Sequence, residues 1–344
     1  MSIPVYAFII MHSLNLYDEA ISFVRLYNRL KQEYGASNFE GKNQFVLGSF
    51  IKPYQTSFAK SNATINNVFE LCCDVGDLVY GNYSKLVLVL HAMSASKTLD
   101  EVKSSVESAL SFMNRVTISD FINVARFWAY YVNCLSGSAP NTGAQFALYE
   151  KEIIAVKSKT ELAFFYSSLT RLHFLLGNFS EAVISGEQHE LYSEYDKGLI
   201  SHLDGKLFFA LALFQALPKA PKNKRASYLK KLKHIQLFID KYATWCPDNY
   251  KVYSLLIAGE FARFKGQQET SLGLYEQSIR LADSLGMVLI AAIASERAVI
   301  HCMNSSLDRI ATFYLHHAYR LFNEWGAVAK VKLLEENYPS LDGL

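Results

Sequence analysis

The sequence predicts an all-α protein built from successive helix pairs, and three observations carry that reading. Between breaks, apolar residues recur at three- and four-residue spacing, the stripe of an amphipathic helix. No sustained period-two alternation is flanked by Asn-Gly or Asp-Gly turns, so strands have no signal. The C-terminal part of the chain also repeats itself at an offset of 40 residues.

The elements follow in order from these signals. Prolines fall mainly at breaks: Pro53, Pro140, Pro218, Pro221, Pro247 and Pro339. "VYAFIIMHSL" near the start reads as half of a helix pair, and "LNLYDEAISFVRLYNRL" continues it through a loose turn. In "LDEVKSSVESALSFM" one stripe holds Leu99, Val102, Val106, Leu110 and Met113. Thr98 precedes it as an N-cap, with Glu101 completing a capping box. The turn-rich stretch "SGSAPNTGAQ" (136–145) divides the array. Gly177 and Gly266 then close helices by supplying a left-handed backbone without the strain a β-carbon would bring.

Laying Tyr253–Gly286 over Ile293–Gly326 pairs Ala258 with Ala298, Arg280 with Arg320, Leu281 with Leu321 and Gly286 with Gly326. Ser271 falls on Ala311 and Ser278 on Ala318, small residues that let neighbouring helices approach closely. Tyr275, Phe313, Tyr314 and Tyr319 are expected to fill the gaps between them. Two helices in about 40 residues is the signature of a tetratricopeptide-like α-solenoid of antiparallel pairs. The chain then holds roughly sixteen helices in about eight pairs. The Gly177-to-Gly266 offset of 89 residues fits two units, one expanded by a loop at "PKAPKNKR". The division expected is an N-terminal sub-array over 1–135, a break over 136–145, a C-terminal sub-array over 146–326, and a capping helix and tail over 327–344. In the closing segment Leu321 and Trp325 face inward and Gly326 ends the helix. Val328, Val331, Leu334 and Tyr338 form a buried stripe, with Lys330, Lys332, Glu335 and Glu336 largely outside it. Pro339 stops the helix.

Composition narrows the function classes. The 344 residues are 51% hydrophobic and 19% charged, with a net charge of +2, which gives no electrostatic case for nucleic acid or an anionic membrane. The basic cluster from Pro218 to His234 opens in a loop, continues onto a helix and reads as a solvated face. Five cysteines, none in a CxxC, together with an N-terminus lacking signal-peptide features, predict reduced thiols and a cytoplasmic location. No uninterrupted apolar run approaches the ~18 residues of a membrane span.

Chemistry has no local motif. GxxxxGK[ST], GxGxxG, kinase signatures and GxSxG are all missing. His189-Glu190 lacks the second histidine of a zincin, because position 193 is serine. His316-His317 and His301-Cys302 are neighbours pointing about 100° apart on a helix and do not chelate one ion together. Glu335-Glu336 lie on a solvated face. The 23 Phe and 21 Tyr read as core. The expectation is therefore no catalytic, cofactor or metal residue, no cofactor, and a binding groove whose residues are unknown.

Three stretches carry a resemblance: "CDVGDLVYGNYS" (73–84), "FARFKGQQETSLGLYEQSIRLADSLG", and "YLHHAYRLFNEWGAVAKVKLLEENYP". Together they resemble the long helical region of multi-sensor signalling kinases, most specifically at Gly76-Asp77, at Tyr314-Leu315 with Ala318-Tyr319, and at Trp325-Gly326-Ala327 with Ala329-Lys330-Val331. Leu334-Glu335 and Tyr338-Pro339 follow in the same pattern. Those proteins join a kinase-like domain, a P-loop ATPase, this helical region, and often GAF and histidine-kinase modules. None of the catalytic modules is present here, so the resemblance implies no catalytic residue. It implies a signal-transduction scaffold that binds a protein or peptide, a kinase or ATPase component among the candidates, in a concave groove. The alternative is a ligand- or peptide-sensing module of a split ATPase and histidine-kinase system. Oligomeric state is left open.

Overall fold

Local chemistry in the chain decides where the helices begin and end. The structure is a computed structural model and describes residues 2–35 and 39–341. Thr98 caps a helix, its Oγ1 accepting from the Glu101 N–H at 3.3 Å. The Glu101 carboxylate reaches back to the Lys97 N–H at 3.0 Å rather than to Thr98 itself, so the box closes one residue further out. Asp77 caps the helix after Gly76 in the same way. Gly177, Gly266, Gly286 and Gly326 all take positive φ at helix ends, between 70° and 93°.

Seventeen α-helices result, with no strand among the described residues. The odd-numbered ones are α1 (Ile3–His12), α3 (Glu40–Val46), α5 (Leu78–Ala95), α7 (Ile122–Leu135), α9 (Lys159–Leu175), α11 (Ile200–Ala216), α13 (Pro247–Phe264), α15 (Val288–Asn304) and α17 (Val328–Asn337). The even-numbered ones are α2 (Tyr17–Tyr34), α4 (Phe58–Asp74), α6 (Leu99–Val116), α8 (Gly143–Val156), α10 (Phe179–Tyr192), α12 (Lys222–Trp245), α14 (Gln268–Leu285) and α16 (Asp308–Trp325). Odd-numbered helices pack on one another: α1 on α3, α3 on α5, α7 on α9, α9 on α11, α11 on α13 and α13 on α15. Each even-numbered helix from α4 to α16 packs between its two chain neighbours. The result is an inner layer of odd helices under an outer layer of even ones.

Burial follows the layers. Every residue from Glu161 to Leu175 in α9 and from Ile200 to Phe214 in α11 is buried, which explains why these helices read as apolar on all sides. The segment Ile200–Lys219 is long and apolar enough to cross a membrane by length and composition, yet 83% of its apolar window is covered by other helices. Outer helices such as α6 and α16 keep one apolar stripe.

Two further contacts join helices far apart in the chain. Helix α11 packs against α5, and α17 against α7. Gly326 sits against Leu99, and Gly286 against the Lys97 side chain, so the last turns of the chain touch the turn between α5 and α6. One hydrophobic cluster runs through residues on both sides of the 136–142 connection.

The 40-residue repeat is visible as two helix pairs, α13–α14 and α15–α16. Ser271 and Ser278 are fully buried and donate to the Gly259 and Val252 carbonyls at 3.0 and 3.1 Å, and Ala311 and Ala318 are buried in their places. Three expectations need correction. Phe313 is 65% exposed and fills no gap, because it lies beside the α16 stripe and stacks on His317. The "PKAPKNKR" segment is no expanded loop: α12 starts at Lys222 and runs for 24 residues. In the closing helix, Lys330 is buried and Val328 is 41% exposed. Lys330 reaches inward to Glu296 at 2.6 Å and lies over the Phe322 ring, an ion pair that apolar periodicity does not register. Val331, Leu334, Leu321 and Trp325 are buried as expected. Of the 327–344 segment, residues 342–344 lie outside the described residues.

Candidate functional site

Two buried polar networks fill the inner layer. Asp204 on α11 accepts from Arg171 of α9 at 2.9 Å, from Ser94 of α5 at 2.6 Å and from Tyr253 of α13 at 2.9 Å. Arg171 also donates to the Met93 carbonyl. Glu260 on α13 accepts from Arg297 of α15 at 2.7 and 3.2 Å, from Tyr275 at 2.7 Å and from Arg263 at 2.6 Å. These charges pair with one another, and the two networks join five odd-numbered helices, α5, α9, α11, α13 and α15. A buried carboxylate without such partners would leave the charged form several kcal/mol too high. The side chains of Ser94, Arg171, Asp204, Tyr253, Glu260 and Arg297 are thus buried between helices and line no open groove.

Open surface with binding character lies on the outer side, around α12. A groove of about 550 Å³ runs between α12, α13 and α14. Its floor is Ala258, Phe261, Ala262 and Leu274, and Leu237 stands over it at 71% exposure. Lys233 and Lys265 stand on its rim. Asp240, also on the rim, already accepts from Ser254 at 2.7 Å and from Gln236 at 2.6 Å.

On the other side of Leu237 a second pocket of about 440 Å³ opens between α1, α11 and α12. Lys206 of α11, Lys241 of α12 and Lys197 of the preceding turn point into it, with His202 and His12 at its back. Asp196 behind the pocket accepts from His202 Nδ1 at 3.0 Å and pairs with His189 Nε2 at 3.2 Å, so His202 presents Nε2 to the pocket. Burial pushes the Lys241 ammonium down to about 8, with Lys197 adding to the effect. Burial likewise pushes His12 down to about 3 and lowers Lys206.

The residues weighed in the sequence are dispersed. His189 belongs to the Asp196 pair, while Glu190 accepts from Lys231 at 2.5 Å. His316 is exposed; His317 meets Ser295 at 2.9 Å. His301 and Cys302 are buried, and Glu335 accepts from Tyr319 at 2.9 Å. Among the described residues no group of three His, Cys, Asp or Glu is placed to hold a metal ion. The basic run before His234 is largely solvent-facing, whereas the lysines that converge come from elsewhere. The signal for them was Lys206 itself, a lone cation inside "LDGKLFFALALF", where an apolar helix has no local use for one.

Comparison with known proteins adds no relative: no protein-family model matches the chain, and no curated protein matches it.

Proposed function

We propose that this chain is a non-catalytic interaction scaffold of signal transduction, a tetratricopeptide-like superhelix that binds a partner peptide or helix. The alternation of inner odd and outer even helices, with the 40-residue repeat, supports the superhelical reading. The observation that carries the binding role is Leu237, held 71% exposed over the apolar groove of α12, α13 and α14. The partner docks on this groove, whose apolar lining is open at the surface. An apolar floor with Lys233 and Lys265 on its rim fits an amphipathic helix whose apolar face is flanked by acidic residues. Five cysteines with none paired in a disulfide fit work in a reducing compartment such as the cytoplasm.

The test is capture from extract of the source cells by the wild-type chain and by Leu237→Asp. A protein retained by the first and lost by the second is then reduced to a synthetic peptide and titrated by calorimetry. One-site binding that disappears with Leu237→Asp is the expected result; identical recoveries by both chains sink the proposal. The sensing alternative is favoured by one separate feature, the lysine-lined pocket beside the groove.

A further inference from the structure

Lysine 206 is nine-tenths buried, at 9% exposure, and its ammonium makes no hydrogen bond or ion pair with the described residues. It lies 5.3 Å from the centre of the Phe238 ring, and Lys241 lies 5.1 Å from the same ring. The polar partner of Lys241 is the neutral Asn15 carbonyl, at 2.6 Å. Both ammonium groups thus lie near the Phe238 ring, and Lys241 lies nearer still to the Tyr242 ring, at 4.5 Å. The carboxylates nearby are committed elsewhere: Glu190 to Lys231, Glu194 to Lys197 at 3.2 Å, and Asp196 to His189 and His202. Lining the pocket itself are three lysines against one glutamate, with the buried Asp196 carboxylate behind it, and Lys206 is the nearly buried cation among them without a hydrogen-bond or ion-pair partner, which is costly unless an anion joins it.

We propose that this pocket is a binding site for a phosphate monoester of a small organic molecule. The phosphoryl group takes a place in the pocket that Lys206, Lys241 and Lys197 line, where neither Lys206 nor Lys241 has a carboxylate within hydrogen-bond reach. His202, whose Nδ1–H is held by Asp196, has Nε2 left as an acceptor and meets only a protonated phosphoryl oxygen. The volume of about 440 Å³ exceeds that of a bare phosphate, and Phe238 and Leu237 supply an apolar wall for the organic part. This reading is independent of peptide docking, since Lys206, Lys241 and His202 do not line the groove and Leu237 alone borders both.

The experiment titrates the whole chain with phenyl phosphate and with inorganic phosphate at ionic strength held constant with sodium chloride, by calorimetry and thermal unfolding. Saturable one-site binding is expected for both, tighter for phenyl phosphate. Lys206→Met and Lys241→Gln are each expected to weaken it roughly ten-fold or more, as loss of one charge-assisted hydrogen bond does. Lys206→Met is also expected to melt higher than wild type without ligand, because it removes an unpaired buried cation, and this shows that the variant is folded. No response to phenyl phosphate beyond the salt control, or wild-type affinity in both variants, overturns the proposal.

Discussion

Arg297 of α15 and Glu260 of α13 are joined by two hydrogen bonds, at 2.7 and 3.2 Å, with both side chains almost wholly shut off from solvent. Burial pushes the Glu260 carboxyl up, but Arg297 and Arg263 outweigh it and hold it down to about 2. A carboxylate lowered on folding contributes stability that is present above its ordinary value of about 4.3 and lost as pH falls toward 2. Removing one partner strands the other. Glu260→Ala is expected to cost about 3–5 kcal/mol in urea unfolding. The double variant Glu260→Leu with Arg297→Met is expected to recover much of that loss. A double variant no more stable than Glu260→Ala would show that the pair contributes more than mutual neutralisation.

Three histidines are held neutral by burial: His12 and His91 near 3, and His173 near 4. A histidine lowered on folding contributes stability that is present above about 6.5 and is lost as pH falls through its folded value. Glu161 acts in the opposite sense. Burial raises it to about 7, so its contribution is present below its ordinary value and is lost as pH rises through 7. Each group changes stability by roughly 1.4 kcal/mol per pH unit inside its window. His202, His301 and His317 are lowered in the same sense and Asp204 is raised as Glu161 is, so the lowered histidines outnumber the raised carboxylates and predict a net fall in stability on acidification from pH 6.5 to 4.5. Urea midpoints across that range measure it, and His91→Asn, which keeps a polar group near Asn62 without a titrating ring, is expected to flatten the slope. A flat profile in the wild type would mean these rings are not sealed.

Much of the architecture is legible in the residues because helix ends obey local chemistry. Thr98 with Glu101, and the glycines at 177, 266, 286 and 326, announce their turns through caps and backbone freedom alone. The motif positions Gly76-Asp77 and Trp325-Gly326 are of the same kind, a left-handed turn before a cap and a buried ring before a left-handed turn. What cannot be read locally is which charge meets which. Lys330 sits in a polar phase of its helix and is nonetheless buried, because Glu296 waits on α15. The Arg171–Asp204 and Arg297–Glu260 pairs, and the lysines around Phe238, join residues 33 to 37 positions apart or on different helix pairs. Their meeting depends on how α9 packs on α11, α13 on α15 and α11 on α12, and a 40-residue periodicity does not say which side chains face each other there.

Trp325 ends α16 at 1% exposure, with Leu321 buried one turn before it. Trp325→Ala is expected to cost about 3–5 kcal/mol, the range for a buried aromatic whose site relaxes only in part. The indole N–H has no partner among the described residues. Trp325→Phe therefore loses no hydrogen bond and is expected to cost much less than the alanine variant. A loss below about 1 kcal/mol for Trp325→Ala would place the ring at the surface, available for docking.

Two glycines in the same pair of helices separate backbone strain from steric crowding. Gly286 has φ +70°, and a β-carbon there would meet only the flexible Lys97 side chain, at 3.4 Å. The penalty of Gly286→Ala is conformational and is expected at about 1 kcal/mol, with Gly286→Asn costing less because asparagine tolerates the left-handed region. Gly259 is ordinary helix, where alanine is intrinsically better by about 1 kcal/mol. A β-carbon at 259 would lie 2.8 Å from the buried Tyr275 ring, whose hydroxyl is fixed on Glu260. That ring cannot retreat without breaking its bond to a buried carboxylate, so Gly259→Ala is expected to destabilise by about 1–3 kcal/mol despite the gain in helix propensity. Chemical unfolding of Gly259→Ala with and without Tyr275→Leu decides the cause. If the loss persists unchanged once the tyrosine is gone, crowding by that ring is not what α13 and α14 require glycine for.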